Sequence, residues 1–205
     1  MMQAINQHGL TFYPSKIVCV GRNYVAHIKE LGNEIPGNMV VFNKPNSAIT
    51  DTLRSHIDGE ALHYEGELAF TVRQGKLDAV AFGLDLTRRA LQSALKEKGL
   101  PWERAKAFDG AALFSEFVAL PPDISQLALR LYVDGELRQA GGVDTMIYKP
   151  QDIIDELVSF TTLEDGDIIM TGTPAGVGEI TPGQVFEGQV LLSDKLLVAM
   201  NWLTQ

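Results

Sequence analysis

At 205 residues, with 45% apolar and 21% charged side chains, the chain is long enough to bury the core of one domain of generous size. Its net charge of -9 argues against nucleic acid or an anionic membrane as partner, because phosphates would meet an excess of like charge. A small anionic substrate stays compatible if the site carries its own cation. Cys19 is the single cysteine, so an internal disulfide is excluded and a reducing compartment fits. No window approaches the roughly 20 apolar residues of a membrane span, and the N-terminus lacks the continuous hydrophobic segment of a signal peptide. The cytoplasm is the expected location, with no membrane partner.

Residues 1–14 read as a loosely patterned start with a short strand at Leu10-Thr11-Phe12-Tyr13. Lys16 to Val20 is a nearly all-apolar run closed by Gly21, the pattern of a buried strand, with Cys19 as a small hydrophobe inside it. Gly21-Arg22-Asn23-Tyr24 follows the strand end, and Val25 to Leu31 has helical composition, stopped by Gly32-Asn33. On that helix His27 and Glu30 are three apart and share a face. A carboxylate beside an imidazole orients the ring and raises its basicity, although the same spacing also describes a solvated pair beside Lys29. Met39 to Phe42 is another apolar run, ended by Asn43 to Ser47, a loop by composition that puts Lys44 at a strand end facing a cleft or water.

In His63-Tyr64-Glu65-Gly66-Glu67-Leu68 an extended chain sets His63, Glu65 and Glu67 in one row. Two carboxylates held that close raise each other's pKa unless a cation lies between them. Oxygen ligands without thiolates favour a hard ion such as Mg²⁺, Mn²⁺ or Ca²⁺. The same pattern also describes the solvent face of an amphipathic strand. Gln74-Gly75 turns the chain into Ala79 to Leu86, an apolar run whose one carboxylate, Asp85, needs a partner: a shared metal ion, or the cap of the next helix.

That helix is predicted from Thr87 to Lys98, capped by Gly99, with Leu91, Ala94 and Leu95 on its buried face and Arg89 and Gln92 near Asp85. Lys106 follows among the apolar neighbours of Ala-Lys-Ala-Phe, where it either stabilises developing negative charge or snorkels to solvent. Leu127 to Val133 alternates strictly before an Asp134-Gly135 hairpin turn, and Glu136, Arg138 and Gln139 lie on the returning strand. Pro150 opens a helix through Phe160 with Ile153, Ile154, Leu157 and Val158 buried. Glu164 to Asp167 turns into Ile168-Ile169-Met170, and Thr171-Gly172-Thr173-Pro174-Ala175-Gly176-Val177-Gly178 offers backbone N–H groups and hydroxyls as a seat for a carboxylate. The glycine spacing fits neither a dinucleotide-binding nor a P-loop pattern. The tail from Gly183 to Leu203 reads as short strands with Trp202 packed. No repeat or composition break divides the chain.

Taken together, Val-Gly-Arg-Asn-Tyr at 20–24 with His27 and Glu30, the Glu65-Gly-Glu67-Leu strand, Gly-Leu-Asp85-Leu-Thr, Ala-Lys106-Ala-Phe-Asp and Gly-Thr173-Pro-Ala-Gly-Val-Gly resemble the fumarylacetoacetate hydrolase family. The likeness is to its single-domain acylpyruvate hydrolase and oxaloacetate decarboxylase members and runs from about residue 16 to residue 190. It implies a mixed α+β, strand-rich fold built round a β-roll with short peripheral helices, one catalytic domain over 1–205 with residues 21–35 as a lid, and a homodimer. It also implies that Glu65, Glu67 and Asp85 bind Mg²⁺ or Mn²⁺, with Ca²⁺ able to replace them in a crystal. By the same likeness His27, Glu30 and Lys106 are catalytic, Arg89, Gln92 and Thr173 hold the substrate, and Arg22 and Lys44 are further substrate-binding candidates. Tyr64 stands where close relatives often carry a second histidine.

The implied reaction is hydrolysis of the carbon–carbon bond of acylpyruvates of the acetylpyruvate or fumarylpyruvate type, decarboxylation of oxaloacetate, or both. The pyruvate enolate common to the two would rest its charge on the metal and Lys106. A 2-oxo acid hydratase or decarboxylating isomerase of aromatic catabolism is the alternative within the family. A metal-dependent binding protein without catalysis is the alternative outside enzymes, and His27, Glu30 and Lys106 speak against it.

Overall fold

The structure is a computed structural model and describes residues 2–205. The strands that frame the site are β1 (Lys16–Gly21), β2 (Val40–Pro45), β3 (Gly66–Arg73), β4 (Lys76–Asp85) and β5 (Ala112–Phe114), followed by β6 (Leu127–Val133), β7 (Glu136–Gly142), β8 (Ile168–Met170), β9 (Val185–Leu192) and β10 (Lys195–Leu203). The helices are α1 (Val25–Glu30), α2 (Arg89–Glu97), α3 (Glu103–Lys106) and α4 (Pro150–Val158). This is the strand-rich mixed α+β fold expected, with the helices on its periphery.

The larger sheet runs β5-β4-β3-β8-β1-β2, with Val118–Ala119 also paired to β4. Its central strands carry continuous apolar runs, at residues 17–20, 68–70 and 168–170, because both faces are covered there. On one face Ile17, Cys19, Ile168 and Met170 pack with Ala69, Ala81 and Phe117. The opposite face is shared: Val18, Val20 and Ile169 lie under Ile153, Ile154 and Leu157 of α4, while Leu68, Phe70 and Phe82 meet the second sheet. That sheet, in the order β7-β6-β9-β10, is antiparallel throughout and turns Leu127, Leu129, Leu131 and Val133 inward. Phe82 is the wedge between the layers. A Cβ at Gly188 would lie 2.2 Å from its ring, so β9 needs glycine there. Truncating Phe82 to alanine would cost about 3–5 kcal/mol.

Register decides where the chemistry sits. Glu67 pairs with Gly83 and Gly66 with Leu84, so the start of β3 lies beside the end of β4. β8 is antiparallel to β3 through Met170↔Ala69 and parallel to β1 through Met170↔Cys19. One end of the sheet therefore gathers Glu65 and Glu67, Asp85, the loop after Met170 and the Arg22 turn, although they are far apart along the chain.

Four local expectations need correction. β2 continues through Asn43-Lys44-Pro45 instead of ending in a loop, because Ile17 pairs with Lys44 and Lys16 with Pro45. In α2 the buried side chain is Gln92 while Ala94 is exposed, since the helix faces a polar cavity and not an apolar core. Val158, at the end of α4, is 51% exposed. The C-terminal strands are long, with Trp202 packed against Phe82 at 6.1 Å between ring centroids.

Candidate active site

Glu65 immediately before β3, Glu67 at its start and Asp85 at the end of β4 place one oxygen of each carboxylate within 4.8 Å of the others, and all three are buried. Lys106 at the end of α3 supplies a positive charge between two of them. Its ammonium donates to Glu65 Oε2 at 2.9 Å, Asp85 Oδ2 at 2.6 Å and Thr87 Oγ1 at 2.7 Å. Behind Asp85, the fully buried Lys44 lies 2.7 Å from Oδ1 and donates to the carbonyl oxygens of Lys106 and Leu86. That ion pair is not aligned as a hydrogen bond, and among the described residues Asp85 Oδ1 has no hydrogen-bond partner. Arg89, from the first turn of α2, grips Glu65 and donates to Gln92 Oε1 at 2.7 Å.

The three carboxylates differ electrostatically. Burial would raise the Glu65 carboxyl, but Lys106 and Arg89 outweigh it and hold Glu65 far below the usual carboxylate range. Burial and the negative charges of Asp85 and Glu65 push Glu67 well above that range, against the pull of Lys106 and of the Gly172 N–H, which donates to Glu67 Oε2 at 2.7 Å. Burial lowers Lys106, yet Asp85 and Glu65 prevail and raise it above an ordinary lysine. A cluster of oxygen donors with a buried oxygen lacking a hydrogen bond, a carboxyl resisting ionisation and an ammonium bridging two members fits a hard divalent cation.

The second half of the site comes from α1. His27 Nδ1 meets Glu30 Oε2 at 3.2 Å, with the imidazole almost fully buried. The other Glu30 oxygen accepts the Gly176 N–H at 3.0 Å. The glycine-rich loop is thus the carboxylate seat expected, and it seats two carboxylates of the protein itself, Glu67 and Glu30. Gly176 has φ +102°, and a Cβ there would lie 1.9 Å from the Arg138 carbonyl oxygen. Gly172 has φ +95°, with Val20 O and Asn23 Cβ 2.9 Å from its would-be Cβ.

These groups surround a narrow cavity of about 40 Å³, which His27, Arg22, Glu65, Glu67, Asp85, Arg89, Gln92, Lys106 and Thr173 all line. Glu30 stands behind His27 and Lys44 behind Asp85, so neither is in the lining. His63 is drawn out of the carboxylate row because it pairs with Glu179 and bridges Thr87. Residues that sequence reasoning passed over complete the frame. Gln139 donates to Thr173 Oγ1 at 2.7 Å and Pro174 O at 2.8 Å and accepts from Gly66 N at 2.8 Å. The fully buried Asn23 joins the Arg22 turn to Thr171 and Tyr148. Lys96 and Asn33 line the mouth. Only Asn23 had a sequence signal, as the amide directly after a strand end.

Residues 16–199 match the family described as Fumarylacetoacetate (FAA) hydrolase C-terminal. The mitochondrial oxaloacetate tautomerase of Oryza sativa subsp. japonica is 43% identical over 195 residues, covering 83% of this chain and 84% of the relative. The mitochondrial oxaloacetate decarboxylase of Dictyostelium discoideum is 38% identical over 189 residues, covering 84% and 87%. The crystal structure of fumarylpyruvate hydrolase from Pseudomonas aeruginosa in complex with Mn²⁺ and pyruvate superposes with a TM-score of 0.89 at 30% identity, covering 99% of this chain and 95% of that one. Among the described residues no helix is long and apolar enough to cross a membrane.

Proposed function

We propose a function from one premise: the chain belongs to the fumarylacetoacetate hydrolase family. It is an enzyme of small 2-oxo acids that works with a divalent metal, cleaving the carbon–carbon bond of acylpyruvates, decarboxylating oxaloacetate, or both. Interconversion of the keto and enol forms of oxaloacetate, the activity named for the Oryza relative, passes through an enolate at the same atoms and falls within the proposal. One observation carries the reading: a buried carboxylate triad, a cationic lysine and a histidine backed by Glu30, from four separate parts of the chain, meet at one cavity.

A divalent cation held by Glu65, Glu67 and Asp85 would polarise the keto oxygen as a Lewis acid, and Mg²⁺ is the ion we propose. Arg89, whose Nε has no hydrogen-bond partner among the described residues, and Gln92 offer donors to a substrate carboxylate, and Thr173 joins them once its hydroxyl turns from the Gly66 carbonyl, to which it donates at 2.8 Å. Glu30 holds the Nδ1 proton of His27, which leaves Nε2 with a free lone pair. In acylpyruvate hydrolysis Nε2 takes a proton from water as its oxygen attacks the distal carbonyl; the bond to the pyruvate methylene then breaks, and its electron pair becomes the enolate. In decarboxylation the bond to the departing CO₂ supplies that pair with no water attack. Lys106 lies where the enolate charge develops; in hydrolysis the proton that His27 took from water passes to carbon and completes pyruvate, while in decarboxylation that proton comes from solvent. Residues 21–35 act as the lid, because the dyad rides on α1 while the triad stays on the sheet.

The working form in this reading is a homodimer, supported by Leu196, Leu197, Met200 and Leu203, which β10 leaves exposed. We place it in the cytoplasm, as the single cysteine suggests. Loss of ultraviolet absorbance from acetylpyruvate or fumarylpyruvate with Mg²⁺, compared with CO₂ release from oxaloacetate, tests the function. His27→Ala is expected to reduce hydrolysis about 100-fold or more and decarboxylation far less. Equal losses in both reactions would contradict the assigned role of the histidine.

A further inference from the structure

The cavity has two poles. Its floor is acidic, while its mouth carries two cations that meet one neutral atom: Arg22 Nη2 and Lys96 Nζ both donate to Asn33 Oδ1, at 3.3 Å and 3.0 Å. Glu65, a carboxylate of the same cavity, is already taken by Arg89 and Lys106. Among the described residues neither Arg22 nor Lys96 forms an ion pair of its own. A lone amide oxygen is a poor counterpart for two positive charges, whereas a carboxylate would give each donor an oxygen and a charge.

Both cations are held in place by the fold. Lys96 projects from α2 and lies 5.9 Å from the centroid of the Trp102 ring, a cation–π contact that keeps its ammonium at the cavity wall. Arg22 has φ +57°, a left-handed conformation that arginine seldom adopts. It is kept there by the neighbouring Asn23, which is buried and hydrogen-bonded to Tyr148 and Thr171. A non-glycine residue held at positive φ in a cavity wall is an outlier that points to use of its side chain.

We propose that Arg22 and Lys96 form a second carboxylate subsite at the cavity mouth, which selects 2-oxo acids bearing a distal carboxylate over those ending in an alkyl group. The proposal rests on the 2-oxo acid reading above and assigns what lies at the far end of the substrate. The floor receives the keto oxygen and the first carboxylate, so the other end of the molecule extends toward the mouth. There its carboxylate takes the place of Asn33 Oδ1. Asn33 lies three residues beyond α1, so the exchange unties that segment from α2 and from the Arg22 turn.

The test is titration calorimetry of the Mg²⁺-loaded protein with two acids that have no second carbonyl on the carbon next to the keto group and so are not cleaved, 2-oxobutyrate with one carboxylate and 2-oxoglutarate with two. Lys96→Met, and Arg22→Asn, which tolerates the same backbone, are each expected to weaken the dicarboxylate about 10- to 50-fold and 2-oxobutyrate less than about twofold, with Lys96→Arg restoring most of the loss. In oxaloacetate turnover by Lys96→Met the loss falls on KM and leaves kcat within about twofold. Equal weakening of both acids, or of neither, overturns the subsite while leaving the 2-oxo acid reading intact. A wild-type protein that binds neither acid overturns that reading and the subsite with it.

Discussion

Lys44→Met tests the buried charge network beneath the site. Lys44 is wholly inaccessible, and its ammonium lies 2.7 Å from an oxygen of the equally buried Asp85. Removing one partner of such a pair leaves a charge in low dielectric and costs about 3–5 kcal/mol. The Lys106 ammonium stays 2.6 Å from the other Asp85 oxygen, so the lower end applies, about 3 kcal/mol. For a chain of this size that is a fall of about 6–12 °C in Tm. Thermal unfolding with a chelator present should show that fall, and Asp85→Asn combined with Lys44→Met should lose less than the two single changes added together, by about 1–3 kcal/mol. Adding Mg²⁺ should return part of the loss in Lys44→Met, because a cation beside Asp85 replaces the missing charge. A change below about 1 kcal/mol, or strict additivity in the double variant, would refute the reasoning.

Gly176→Ala forces a Cβ onto the Arg138 carbonyl and displaces the N–H that holds Glu30, so a loss of about 3 kcal/mol and a drop in kcat are expected, the first read by urea denaturation. Asp167 accepts from Ser15 N, Ser15 Oγ, Lys16 N and Glu164 N and pairs with the Lys16 ammonium; these outweigh its burial and lower its pKa. Its stabilisation is therefore present above the ordinary carboxylate value and lost as pH falls through the lowered one. Asp167→Asn should cost about 2–3 kcal/mol at neutral pH and flatten the acid limb of Tm against pH. Glu67 has the opposite sign: its raised pKa means that the metal-free native state holds a proton the unfolded chain has released, so stability declines as pH rises from the ordinary carboxylate value. Mg²⁺ binding should expel that proton, seen as a binding heat that depends on the ionisation enthalpy of the buffer.

Much of this site could be read from local pattern, and the remainder depends on contacts across the chain. The strict alternation of Leu127 to Val133 and the Asp134-Gly135 turn specify their hairpin locally, and Glu65 and Glu67 occupy neighbouring positions because strand geometry allows little else. Lys106 among alanines hinted at its burial. Lys44 carried no such hint, because its partner Asp85 lies 41 positions away and composition around Asn43-Lys44-Pro45 reads as loop. The glycine-rich loop was legible as a carboxylate seat, but its occupants, Glu67 and Glu30, are set by sheet register and the placing of α1. Amphipathic periodicity misplaced the inner face of α2 since it assumes an oily neighbour, and here the neighbour is the polar cavity that buries Gln92. Lys96 and Asn33 meet only through that same packing.

The proposed chemistry requires Glu65, Glu67 and Asp85 to hold one hard cation that a 2-oxo acid can reach from the cavity. Electron paramagnetic resonance of Mn²⁺ added to the metal-free protein measures this directly. One ion bound per chain, a spectrum that changes when pyruvate is added, and loss of both in Asp85→Asn is the predicted result. Binding that survives Asp85→Asn unchanged, or a bound ion whose spectrum does not respond to pyruvate, would contradict it.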